Sequence, residues 1–135
     1  MSIKTSLLGL LVLLAGCAEP SGVPHPVCGD EWADLDPIIT SADAGGDENP
    51  IPIECIAEID TQRVRIGFSL PPGPDCHVLR RVELVESADA VAITLVGGVV
   101  DDPRAGACSD EPRRAVTEVD LQAPVDGRML LDGSG

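Results

Sequence analysis

Two kinds of hydrophobic pattern divide the chain. Residues 7–15 (LLGLLVLLA) are apolar apart from one glycine. Beyond residue 50 apolar and polar positions alternate, the period-two mark of half-buried strands. In TQRVRIGFSL, Val64, Ile66, Phe68 and Leu70 alternate with Arg65, Gly67 and Ser69. Upstream, Ile51, Ile53, Cys55, Ala57 and Ile59 share one parity and Glu54 and Glu58 the other, so the two runs predict a hairpin turning near Asp60-Thr61. RRVELVESADAVAITLVGG predicts a second hairpin. A turn at Ala88-Asp89 sets Leu84 opposite Ile93 and Val82 opposite Leu95, with the large apolar side chains on one face. In AVTEVDLQAP, Ala115, Thr117, Val119 and Leu121 share a face until Pro124 stops the strand. Asp126-Gly127 is a turn signal, and Arg128 to Leu131 returns from it.

This makes about six short strands and no helical stripe longer than a turn or two, which predicts an all-β domain: a small antiparallel β-sandwich or barrel-like sheet. The domain spans 51–135. Trp32 and Phe68 are the only aromatic residues of the chain, so Val, Ile, Leu and Ala must fill the core.

Residues 17–50 read differently. From Cys17 to Gln62 there are eleven acids, six of the twelve prolines and no base. Such a stretch cannot bury enough apolar area to offset the entropy of ordering it, and its like charges push it outward. The expectation is a flexible acidic stalk that lifts the domain. Within it, CGDEWADLDPII predicts a short helical turn at Asp30 to Leu35, with Trp32, Ile38 and Ile39 packing on the domain surface.

The apolar run at 7–15 is about half the ~20 residues that a helix needs to cross a bilayer. It follows Lys4 and the amino terminus, the order of a secretory signal. It ends Leu14-Ala15-Gly16-Cys17, which resembles the lipobox of bacterial lipoproteins. The resemblance covers residues 1–17 alone. It implies that 1–16 are removed as a signal peptide, that Cys17 is the lipid attachment site through a diacylglyceryl thioether, and that its new amino terminus is acylated. The location implied is extracytoplasmic, lipid-anchored to the cell membrane, because two or three acyl chains hold a protein stably where one does not. Farther on, the DCHVL…ADAVAITL…C arrangement resembles small exported proteins of high-GC, actinobacteria-like bacteria; that resemblance carries no active site.

In an exported chain the even set Cys28, Cys55, Cys76 and Cys108 favours two disulfides. A hairpin brings Cys76 and Cys108 toward one end, which leaves Cys28–Cys55 to join stalk and first strand; four cysteines allow three connectivities. No CxxC pair exists, and the histidines are His25 and His77, so no zinc site is expected.

Charge excludes further classes. Without Lys4 the chain has 23 acids against eight arginines, a formal charge of −15, which disfavours nucleic acid, whose phosphates need clustered cations. His77 is the one candidate base in the domain, but it follows an expected disulfide cysteine and no GxSxG elbow is present. The acid pairs Asp101-Asp102, Asp110-Glu111 and Asp47-Glu48 are what an acidic surface produces by chance. Asp43 to Asn49 offers oxygen ligands but lacks the alternation of an EF-hand loop. Arg80-Arg81 and Arg113-Arg114 could recognise an anion, and more simply pair with acids such as Glu83 and Glu118. No catalytic, cofactor-binding or metal residues are assigned. The expected function is a membrane-anchored, non-enzymatic interaction module with an envelope protein partner, acting through the sheet face or residues 98–114. A small-ligand or divalent-metal-binding lipoprotein is the alternative, with an enzyme third.

Overall fold

Every alternating run forms a strand. The computed structural model describes residues 20–24, 26–41, 45–72, 76–100 and 111–134; of 45, 47, 76 and 100 only the backbone course is described. Among these residues the strands are β1 (Val23–Pro24), β2 (Gly45–Ile51), β3 (Ile53–Asp60), β4 (Arg63–Leu70), β5 (Cys76–Glu86), β6 (Ala90–Val100), β7 (Arg113–Asp120) and β8 (Met129–Asp132). One 3-10 turn, η1 (Asp30–Trp32), precedes β2. An antiparallel sheet has the order β3-β4-β7. In the second sheet β6 is central: β5 runs along one edge, β8 and β2 share the other, and β1 lies outside β8. The fold is all-β and sandwich-like, with an inner face from each sheet meeting in one core. Val64, Ile66, Phe68 and Leu70 of β4 meet Val91, Ile93 and Leu95 of β6 there.

The β5–β6 hairpin has the register read from its alternation, with Leu84 opposite Ile93 and Val82 opposite Leu95. The β3–β4 hairpin turns where expected but not with one parity throughout. A bulge between Ile53 and Cys55 shifts the side-chain alternation by one residue, which sends later positions to the other face. Ile53 and Ile56 therefore enter the core, Cys55 faces outward to join Trp32 and Val116, and Ile59 is exposed.

After β7 the chain changes sheet. Leu121 and Val125 are buried and donate their backbone N–H groups to Gln62 and Thr61. Asp126 and Gly127 then turn with φ of 41° and 78°. The returning strand β8 does not pair with β7, as a simple hairpin would require. It runs parallel to β6, with Ala90 opposite Met129 and Ile93 opposite Asp132. A buried ion pair fixes this crossing: Arg128 Nη1 donates to Glu86 Oε1 at 2.9 Å, while Nη2 and Nε donate to the carbonyls of Ala123 and Pro124. Asp132 joins the sheets, its buried Oδ2 accepting from the N–H of Ile53 at 2.9 Å.

The acidic segment expected as a spacer over 17–50 is largely drawn onto the domain where it is described. After β1 pairs with β8, Pro26 and Cys28 bond both backbone groups of Ile56 on the outer edge of β3. The chain then crosses the outer face of the three-stranded sheet. There η1 buries Trp32 to 6 % exposure over the backbone of Gly67, where a Cβ would lie 2.7 Å from the indole. On the far side Ile38 donates to Val116 O at 2.8 Å on the edge of β7, and Ser41 to Leu79 O at 2.8 Å on the edge of β5. Gly45–Ile51 then pairs with β6 as β2, so sheet structure begins before residue 51. We call residues 26–41 the strap. A segment this acidic and proline-rich cannot build its own core, but it needs none. It satisfies backbone groups that the sheet edges leave open and adds a few apolar anchors. Trp32 and Ile38 pack as expected, whereas Ile39 is 86 % exposed.

Cys28 and Cys55 form a disulfide, which fastens the strap to β3. Cys76 opens β5 opposite Val100. Cys108, and with it the expected Cys76–Cys108 bridge, lies outside the described residues.

Candidate functional site

A cleft opens at the end of the sandwich where the chain passes between sheets. Its walls are Asn49 to Pro52 at the β2–β3 corner, Ser69 to Pro71 closing β4, His77 and Val78 opening β5, and Gly97-Gly98 of β6. Proline explains the opening. Pro52 has no N–H to give either sheet, so the ladder stops there and the strand passes from one sheet to the other. Pro71 ends β4 in the same way. The walls are chiefly apolar and the cleft holds about 170 Å³. That is below the several hundred cubic ångströms usual for a drug-sized ligand and fits one apolar side chain. Its polar fringe is Asn49, Ser69 and His77. The Ser69 hydroxyl donates to Glu54 Oε2, so it is held by a carboxylate on the neighbouring strand.

The charged groups are arranged for one another. Arg81 reaches over from β5 with a bidentate contact on Glu48 of β2, at 2.8 and 2.7 Å, and Arg80 approaches the same carboxylate at 3.2 Å. The Arg81 hydrogen bond comes first among the causes that hold the Glu48 carboxyl below its ordinary value; desolvation opposes it, and the charges of Arg81 and Arg80 add to it. Arg81 also meets Glu83 at 3.3 Å, the pairing expected from sequence. Glu118 instead pairs with Arg65 at 3.3 Å, and Arg114 lies over the Trp32 ring, 5.4 Å from its centroid. Arg63 and Asp120 pair across β4 and β7 at 2.7 Å, and this bond raises the arginine pKa.

Among residues considered for chemistry, His77 lines the cleft and Glu48 is engaged by two arginines. Cys17, His25, Asp43, Asp101, Asp102 and Asp110 lie outside the described residues. No group of three or more His, Cys, Asp or Glu among the described residues is placed to hold a metal ion. No described helix is long and apolar enough to cross a membrane. The cleft itself is not legible from the alternation. Its only sequence signal is proline on both sides of Ile51 and directly after Leu70, which marks strand ends without showing that they meet. Compared with family models, curated proteins and solved structures, the chain matches none.

Proposed function

We propose that this chain is an extracytoplasmic lipoprotein whose β-domain is a non-enzymatic binding module for an envelope protein. The observation that carries the anchor is the run ending Leu14-Ala15-Gly16-Cys17 behind a short apolar segment and Lys4. In this reading residues 1–16 are the signal and Cys17 carries the lipid. The Cys28–Cys55 disulfide supports export, since such bonds persist in oxidising compartments. The cleft beside His77 supports a protein partner over a larger ligand, because its volume suits a single inserted side chain.

Two experiments test the parts separately. Cys17→Ala should release the protein from the membrane or leave its precursor uncut; normal processing and attachment would sink the anchor assignment. A photo-cross-linking residue in place of His77, in the native lipidated protein in its own cells, should capture one dominant protein. Capture no greater than from an exposed control position such as Asp126 would remove the cleft as the binding site.

A further inference from the structure

The strap leaves little chain between the anchor and the domain. If Cys17 carries the lipid, residues 18–22 alone separate it from Val23, which already pairs with Asp132 of β8. Fully extended, the connection from Cys17 to Val23 reaches only about 20 Å. Gly22 is itself seated on β8: with φ +148°, a side chain there would run into the Asp132 carbonyl. The acidic stretch expected to lift the domain instead wraps around it.

Resting on the lipid anchor read above, we propose that the flank bearing β1 and Pro26–Cys28 faces the lipid headgroup layer at close range. Val23 (52 % exposed) and Val27 (79 % exposed) present apolar side chains on this flank. The strap crosses to the opposite flank before it reaches Ile39. Val27 bridges to the outer edge of β3 and Pro37 to that of β7. The row from strap to β3, β4, β7 and strap again therefore spans four strand spacings, roughly 19 Å. The two ends of one segment thus mark a near flank and a far flank, and a protein partner must approach the far flank or the sandwich ends.

The test uses full-length lipidated protein in vesicles of phosphatidylethanolamine and phosphatidylglycerol that carry an energy acceptor on a headgroup. A fluorescent non-canonical residue replaces Val27 in one variant and Ile39 in another; both side chains are exposed, so neither change disturbs packing. Transfer from position 27 is expected to be severalfold more efficient than from position 39. Inserting about 20 Gly and Ser residues after Ala18, which adds roughly 25 Å of average reach, should abolish that difference. Attached protein with equal transfer from the two positions, or greater transfer from 39, overturns the placement and leaves the anchor standing. Wild-type protein that fails to bind the vesicles removes the anchor, and the placement with it.

Discussion

Gly67 illustrates how one missing methyl group positions a whole segment. A Cβ there would lie 2.5 Å from the Cys55 sulfur and 2.7 Å from the Trp32 ring, so the indole can seat itself only on bare backbone. Gly67→Val should displace Trp32, shift its emission to longer wavelength, and lower stability by about 1–3 kcal/mol, as overpacking does; a urea titration followed by fluorescence reads both. The buried Glu86–Arg128 pair, with side chains 8 % and 7 % exposed, makes a second point. Arg128→Ala leaves the carboxylate without its cation, with the Gln122 N–H still donating to Oε2, and should cost about 3 kcal/mol, whereas Glu86→Gln with Arg128→Met should cost much less. Equal losses in calorimetry would show that the pair is not what fixes the crossing to β8. Glu48 gives a pH dependence. Its carboxyl is held below its ordinary 4.5 by Arg81 and Arg80, so the folded state favours the ionised form. That contribution is present above 4.5 and is lost as pH falls through the lower folded value. Glu48→Gln should therefore be less stable than wild type near neutrality, with the gap closing below pH 4.5; a gap independent of pH would contradict this. None of these three partners is close to its mate in sequence, which is why alternation could not pair them.

At the level of elements, strands that obey a strict period of two were legible and those that break it were not. β4, β7 and the β5–β6 hairpin from Val82 to Leu95 keep their alternation, and their faces follow from it; nearer its start β5 has a bulge between Leu79 and Arg81. β3 breaks it at a bulge, and that break is what turns Cys55 outward to meet Cys28. The strap was hidden for another reason. It is held by isolated backbone hydrogen bonds and single side chains, which leave no periodic trace, and its acids and prolines match those of an unattached linker. A disulfide spanning 27 residues should contribute about 3–4 kcal/mol on the chain-entropy model. Replacing both Cys28 and Cys55 with Ser should lower stability by that order. Hydrogen exchange should then quicken at Ile56, whose N–H donates to Pro26 O, before it quickens at buried Ile66 of β4. Unchanged protection at Ile56 would mean that the strap holds its edge without the disulfide.

For the molecule as a whole, alternation indicated an all-β domain, but composition gave no sign that residues 26–41 lie along its edges. The two sheets share one core, and the strap covers parts of the edges of β3, β7 and β5 with chain that composition assigned to solvent. Covered edges resist pairing with other chains. They also shorten any tether to the residues before β1. Both the proposed function and the placement of the near flank depend on Cys17 as the lipidated first residue of the mature chain. Mass spectrometry of the amino-terminal peptide from membrane-extracted protein measures this directly. The expected result is a peptide that begins at Cys17 and carries the mass of a diacylglyceryl group. A mature chain that begins elsewhere, or an unmodified Cys17 thiol, would contradict it.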